Sequence, residues 1–230
     1  TTMTTRDDTA AADDAATVDD AVRAVRTLSR RKQVLDAAVR LMEKTGFHQM
    51  SMQALADEAG VSVGLIYKYF GGKEDVLLAT VTSILDAFRD QLEPAMDEAG
   101  QDPVDRLAAG MRRYVEIVDD NIDAVVLTYR ESRTLDKDGR ERIKQLEIAT
   151  AAPLRDTLEI GIASGEFAPV DVDLIVFDFM LLAHGWALKQ WHFGRLYSLE
   201  DYTARQIRFV LNSIVPAERR DRYPHLLRTV

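Results

Sequence analysis

The sequence predicts an all-α protein in two parts, a small basic head of three helices and a larger, acidic helical body. Three observations predict it. Apolar residues recur every three or four positions along most of the 230 residues, and no useful stretch alternates with period two. Two short helical patterns, Met52 to Ala59 and Ser62 to about Tyr69, meet at a Gly60-Val61 turn. The charge is also uneven. Arg23 to Lys73 holds nine bases against four acids, a net +5, although the whole chain carries −9 and the remainder therefore −14. A basic module on an acidic body is the asymmetry of a protein that meets phosphate with one part only.

The first residues are rich in Thr, Ala and Asp, with acidic pairs at 7–8, 13–14 and 19–20. With few large apolar side chains they do not offset the entropy of ordering, so residues 1–28 are expected to be a disordered acidic tail. Asp20 to Thr27 could extend a helix, and Arg23 and Arg26 read as solvated. Arg30 and Arg31 stand next to the head and are the better candidates for reaching phosphate. Ser29 to Thr45 is the first secure helix, striped by Val34, Leu35, Ala38, Leu41 and Met42 and stopped by Gly46. Ser51 caps the next helix and Ser62 the one after it, each hydroxyl accepting from an otherwise orphaned N–H.

Small Ala56 lets the two short helices approach, and Gly60 tolerates the positive φ of the turn. This is a helix-turn-helix layout, whose second helix lies in the major groove. Tyr67, Tyr69 and Phe70 crowd around Lys68 at the end of that helix, where a fold has little need of three aromatics. Tyr hydroxyls and a Lys ammonium suit phosphate and base edges.

The run LADEAGVSVGLIYKYFGGKEDVL, Leu55 to Leu77, within a stretch from about Arg31 to Leu78, closely resembles the DNA-binding domain of the tetracycline-repressor (TetR) family of bacterial transcription regulators. The resemblance covers about a fifth of the chain; elsewhere the likeness is one of helical layout. It implies a DNA-binding domain over residues 29–75, a ligand-binding and dimerisation domain over 76–216 and a C-terminal tail over 217–230. It also implies a cytoplasmic homodimeric repressor that a small hydrophobic effector releases from a palindromic operator of double-stranded DNA. On it, Ser51 holds a phosphate. Val63, Gly64 and Tyr67 read bases, while Ser62, Lys68, Tyr69 and Lys73 anchor to the backbone, with Arg30 and Arg31 beside them. Val63 stands where Lys or Arg is frequent in the family, and Lys68 where His is frequent. The Val63 methyls can pack on a thymine methyl but donate no hydrogen bond.

In the body, an amphipathic helix from Lys73 to about Ala99 carries Val76, Leu77, Ile84, Phe88 and Leu92, and Pro94 is expected to kink it or end it near Glu93. Pro103 starts a helix through about Val118. Asn121 caps one through about Arg133, and a charged loop covers Leu135 to Gly139. Asp138 or Gly139 starts a long helix to Ala163, with Pro153 breaking or kinking it near Ala152 and Gly165 stopping it. Asp171 caps a helix reading to Gly194 that is apolar on nearly all faces and must be covered all round. With Leu199 to Val215, it has apolar surface in excess, which suggests a four-helix interface with a second copy. Pro216 is expected to end the fold.

An effector pocket needs apolar walls and a few polar handles. The candidate walls are Phe88, Leu92, Tyr114, Val126, Tyr129, Met180, Trp186 and Trp191, and the handles Arg130, His184 and Lys189. Plain core packing competes for Phe88 and His184, and a surface ion-pair cluster for Arg130. The order TYRESRTL, then GIASGEFAP, then a Trp-rich helix is similar to TetR-type regulators that respond to acyl-coenzyme A. That resemblance puts Arg130 and Lys189 on phosphates and Trp186 in a wall. An aromatic or drug-like effector stacking on Trp186 is the alternative, which would make the protein a multidrug-type repressor. A helical dimeric adaptor is the reading outside regulation.

Without a Cys the chain has neither a disulfide nor a thiolate zinc site. The four His are scattered and form no HxxxH or HExxH, and no nucleophile–base pair stands out, so neither a metal, a cofactor nor an enzyme is expected. The longest uncharged apolar run, Phe179 to Leu188, is far short of the ~20 residues of a spanning helix.

Overall fold

The computed structural model describes residues 7–228, with side chains from residue 20 onward. Among the described residues there are eleven α-helices, two short 3-10 turns and no strand. The chain divides into two compact units, Thr1–Leu77 and Leu78–Val230.

In the first unit, α1 (Asp7–Thr45) is followed by α2 (Met52–Ala59), α3 (Val63–Phe70) and the first turn of α4 (Lys73–Glu98). Val34, Ala37, Ala38 and Met42 bury one stripe of α1, and Met52, Leu55, Ala56 and Ala59 bury one face of α2. Ile66 and Phe70 complete the core from α3. Gly60 takes φ 64°, ψ 37°, the left-handed conformation that the turn demands and that costs a side chain about 1 kcal/mol or more.

One expectation fails here. Helix α1 begins at Asp7 rather than at Ser29, so from that residue on the expected tail is helical, while residues 1–6 lie outside the described ones. Seven alanines between Ala10 and Ala24, the strongest helix former, supply a local preference that the acidic composition concealed. Val25 and Leu28 are two-thirds exposed, so tertiary burial does not explain the helix between Asp20 and Leu28.

The second unit contains the rest of α4, then α5 (Pro103–Asp120), α6 (Ile122–Glu131), a 3-10 turn (Ser132–Thr134), α7 (Lys137–Ala163), α8 (Val172–Leu188), α9 (Gln190–Leu196) and α10 (Leu199–Ile214). A 3-10 turn (Ala217–Arg222) and α11 (Pro224–Leu227) close the chain. Helix α5 lies at the centre, packed against α7, α8 and α10. Its Leu107, Met111, Tyr114, Val115 and Val118 are all buried, which explains why so strongly amphipathic a helix needs three neighbours.

Several helix ends differ from the sequence reading. Pro94 does not end α4, which runs on to Glu98 because Leu92 and Met96, buried on either side, hold it. Pro153 likewise sits inside an unbroken α7, flanked by buried Ala151 and Leu154. A proline forfeits one ladder bond, and burial on both sides outweighs that. Asn121 does not cap α6 with its side chain; its Nδ2 donates back to the Ile117 carbonyl at 2.8 Å, closing α5 instead. Asp136 caps α7, its carboxylate accepting from the Gly139 N–H at 2.7 Å, so the expected loop shortens to two residues. The apolar helix breaks at Lys189 rather than reaching Gly194, and neither Gly nor Pro marks that break.

Pro216 does not end the fold. Tyr223 is buried, with its hydroxyl within hydrogen-bonding reach of Glu166 Oε2 at 2.9 Å and Asp102 Oδ2 at 3.0 Å. Arg219 and Arg222 both reach Glu166 Oε1, at 2.6 and 2.7 Å.

Candidate functional sites

On α3 the buried pair Ile66 and Phe70 fixes which side faces outward. Gly64, Tyr67 and Lys68 occupy the exposed side, and Val63 and Tyr69 flank it half-buried. Tyr67 leaves half its surface open, at 51%. A Cβ built on Gly64 would meet nothing within 4 Å, so that position leaves space at the surface rather than in the core. Ser51 Oγ accepts from Ala54 N at 3.0 Å and Ser62 Oγ from Leu65 N at 3.3 Å. Each hydroxyl keeps its own proton for donation outward at a helix N-terminus, where anions are favoured.

The two outer bases have structural work that spacing did not announce. Arg31 donates to the Tyr69 carbonyl at 2.9 Å and stacks over Phe70, 4.5 Å from its centroid. Lys73 donates to the His48 carbonyl at 3.0 Å with its ammonium 4.6 Å from the Phe47 centroid. Arg30 is exposed and bonded to Gln33 Oε1 at 3.1 Å. Gln33, which the sequence reading passed over, donates to the Ala59 carbonyl at 2.7 Å, and Arg40 pairs with Glu58 at 2.9 Å. The long first helix thus braces both short ones.

The second unit encloses a cavity of about 400 Å³. Val81, Ile84, Leu85 and Phe88 of α4 form one wall. Tyr114 of α5, Val125, Thr128 and Tyr129 of α6, and His184 of α8 form the inner surface. Ser132, Arg133, and the α7 residues Arg140, Ile143, Lys144 and Glu147 complete it. The first group is apolar and largely buried, whereas Arg133, Arg140 and Lys144 are exposed and so mark the mouth. Arg140 is steadied by the Leu135 carbonyl and Lys144 by Glu141.

His184 bridges two phenols inside the cavity. Tyr114 Oη lies 3.0 Å from its Nε2 and Tyr129 Oη 2.8 Å from its Nδ1. Burial pushes the imidazole down to about 4, so the ring is neutral at physiological pH. Burial, then the charge of Glu147, raises both phenols, and burial also raises the Glu147 carboxyl.

Of the eleven residues nominated for a ligand, Phe88, Tyr114, Tyr129 and His184 line this cavity. Leu92 and Met180 are core. Val126 packs against the core from its edge. Trp186 is buried with its Nε1 donating to Asp119 Oδ1 at 2.7 Å, and so satisfied elsewhere. Lys189 ends α8, Trp191 is 69% exposed, and Arg130 pairs with Glu131. The bases at the mouth escaped the sequence reading, although Arg140, Ile143, Lys144 and Glu147 recur at the spacing of one helix face.

Among the described residues no cluster of His, Asp or Glu could hold a metal ion, and no helix is long and apolar enough to cross a membrane.

Comparison with known proteins agrees with this anatomy. Residues 34–80 match the model of bacterial regulatory proteins of the tetR family, and residues 100–193 a tetracyclin repressor-like C-terminal domain. The chain is 34% identical over 189 residues to the HTH-type transcriptional regulator HbdR of Aromatoleum sp. (strain CIB), 82% of each protein. Among solved structures, the regulator FadR from Bacillus subtilis in complex with stearoyl-CoA is 25% identical, with a TM-score of 0.65, covering 79% of this chain and 95% of that one. AibR in complex with isovaleryl coenzyme A and operator DNA has a TM-score of 0.66 at 22% identity, covering 78% and 97%, a likeness of fold alone.

Proposed function

We propose, on the premise that this chain belongs to the tetR family of bacterial regulatory proteins and is a transcriptional regulator, that it binds a palindromic DNA operator as a cytoplasmic homodimer and answers to an acyl thioester of coenzyme A. The first part rests on the outward face of α3. Val63, Gly64 and Tyr67 would meet base edges, and Ser51, Ser62, Lys68 and Tyr69 the phosphates. Lys73 joins them through the ammonium protons that His48 leaves over.

The single observation that carries the effector reading is the composition of the cavity. Its inner walls are apolar and aromatic, while Arg133, Arg140 and Lys144 gather at its mouth. A ligand suited to both has a hydrophobic end and several phosphates, which is the chemistry of an acyl-coenzyme A. The complexes of AibR and FadR named above hold ligands of that class. On this reading Arg133, Arg140 and Lys144 take the place at the phosphates that sequence had given to Arg130 and Lys189. An aromatic effector would stack on Phe88, Tyr114 or Tyr129, since Trp186 does not line the cavity.

Coupling follows from one helix. Val81, Ile84, Leu85 and Phe88 belong to α4, whose first turn is part of the DNA-reading unit. A ligand pressing on those side chains acts directly on that helix. A hundredfold change in DNA affinity needs ~2.7 kcal/mol of coupling, within the usual range.

The test begins by selecting the operator from random duplexes. Octanoyl-CoA is then titrated while DNA binding is followed by fluorescence anisotropy. A saturable loss of binding supports the reading; unchanged binding at saturating thioester removes the effector assignment.

A further inference from the structure

Tyr114, His184 and Tyr129 form one hydrogen-bonded chain along the cavity wall, with links of 3.0 and 2.8 Å. A neutral imidazole offers one N–H and one lone pair. It accepts from one phenol and donates to the other, so one of the two phenols keeps a proton that the ring does not use.

Burial decides which. Tyr114 is 1% exposed, and an O–H left without an acceptor there would cost about 1–3 kcal/mol. Tyr129 is 45% exposed and opens to the cavity. The favoured arrangement therefore has Tyr114 donating to Nε2 and Nδ1–H donating to the Tyr129 oxygen. The Tyr129 O–H is then unused by the protein. Successive links polarise one another in the same direction and strengthen the last donor. Glu147 lines the same cavity without hydrogen-bonding to Tyr129 in the structure.

We propose that Tyr129 is an oxygen-reading donor for the effector, with Tyr114 and His184 as positioning residues behind it. For the ligand's identity this rests on the acyl-thioester reading above; the subsite itself does not. Two sources supply such an oxygen: the thioester carbonyl, or an oxygen substituent on the acyl group. A saturated hydrocarbon leaves the donor unpaired, so the cavity discriminates against ligands that are merely greasy.

The experiment uses the full chain and starts with probes that contain no coenzyme A. Binding of 2-hexanone is compared with that of 2-methyl-1-hexene, which replaces C=O by C=CH₂. One hydrogen bond satisfied in place of one lost predicts a preference for the ketone of roughly tenfold. Tyr129→Phe should erase that preference and leave the alkene's affinity unchanged. Nitrogen-15 NMR, with the signal assigned through His184→Gln, should show His184 protonated at Nδ1.

Octanoyl-CoA, 3-hydroxyoctanoyl-CoA and the S-octyl thioether then separate the sources. Loss with the thioether assigns the thioester carbonyl, and gain with the 3-hydroxy compound assigns the acyl substituent. The proposal is overturned by absent ketone binding, by equal affinity for ketone and alkene, by a preference that survives Tyr129→Phe, by an Nε2-protonated ring, or by three indistinguishable coenzyme A derivatives that bind. A ketone preference with no binding of any coenzyme A derivative keeps the subsite and removes the acyl-thioester reading instead.

Discussion

Arg31 and Tyr69 stand 38 residues apart in sequence, yet the guanidinium of one donates to the backbone carbonyl of the other at 2.9 Å. The same guanidinium covers the Phe70 ring. Both contacts fall on the last turn of α3, where carbonyls lack helical partners and a cation is favoured. Arg31 thus steadies the end of the helix that would enter DNA, instead of standing free beside it.

Arg31→Ala should therefore loosen α3 before it weakens any phosphate contact. A charged hydrogen bond and a cation–π contact together suggest a loss of about 1–2 kcal/mol. Hydrogen exchange of the Val63 to Phe70 amides should quicken roughly tenfold. Unchanged protection with a large loss of DNA affinity would return Arg31 to the role that its position in the sequence suggests.

Tyr67 and Lys68 are adjacent on the exposed side of α3 and should fail differently. Tyr67→Ala is expected to cost operator more than random DNA, narrowing the ratio between them. Lys68→Ala should weaken both alike and lower the slope of log affinity against log salt by about one. Equal losses on both DNAs for Tyr67→Ala would remove it from base reading.

The head was legible because its constraints are local. Gly60 needs positive φ, Ser51 and Ser62 need a neighbouring N–H, and the apolar positions of α2 and α3 need one small core; each shows in the order of residues. Of the cavity, Phe88, Tyr114, Tyr129 and His184 were legible as aromatic side chains on apolar helix faces, although the same pattern serves a plain core equally well. Trp186 misled because its partner, Asp119, is 67 residues away, and no local pattern announces that hydrogen bond. Arg140 and Lys144 misled in the other direction. They look like an ordinary solvated helix face until tertiary packing sets that face at the cavity mouth.

Stability in acid should report on His184. Its folded value, about 4, lies below the ordinary 6.5, so protonation is easier in the unfolded chain. The contribution is complete above pH 6.5 and is lost as pH falls from there toward 4, by about 3 kcal/mol in all. Glu147, raised by burial, shifts the opposite way, contributing fully below its unfolded value and losing that contribution as pH rises. Urea midpoints measured between pH 7 and 4.5 should fall more steeply for the wild type than for His184→Gln. Parallel curves would mean that the imidazole is not held neutral.

Leu174 and Leu181 lie seven residues apart on α8 and are more than half exposed, as is Phe209 on α10, a helix packed against α8. A second copy covering these side chains would account for apolar surface that the single chain leaves in water. Leu181→Glu with Phe209→Glu would bury like charges across a two-fold axis. Sedimentation should then give the mass of one 25.8 kDa chain in place of two, with helix content retained. A wild type that sediments as a single chain at micromolar concentration would end the dimer reading.

The mouth of the cavity separates a binding site from a charged surface. Arg133 and Lys144 are exposed, so each alone contributes modestly and is screened by salt. Several phosphates engaging them together make the pair worth more than either. Replacing both by Gln should weaken octanoyl-CoA by roughly tenfold or more while leaving 2-hexanone unaffected, since the ketone carries no phosphate for these bases to engage. Raising salt should erode the wild-type affinity for the thioester and change the double variant little. If the substitutions leave octanoyl-CoA binding intact, these bases are solvated charge, and an effector without phosphates becomes the better match to the cavity's aromatic walls.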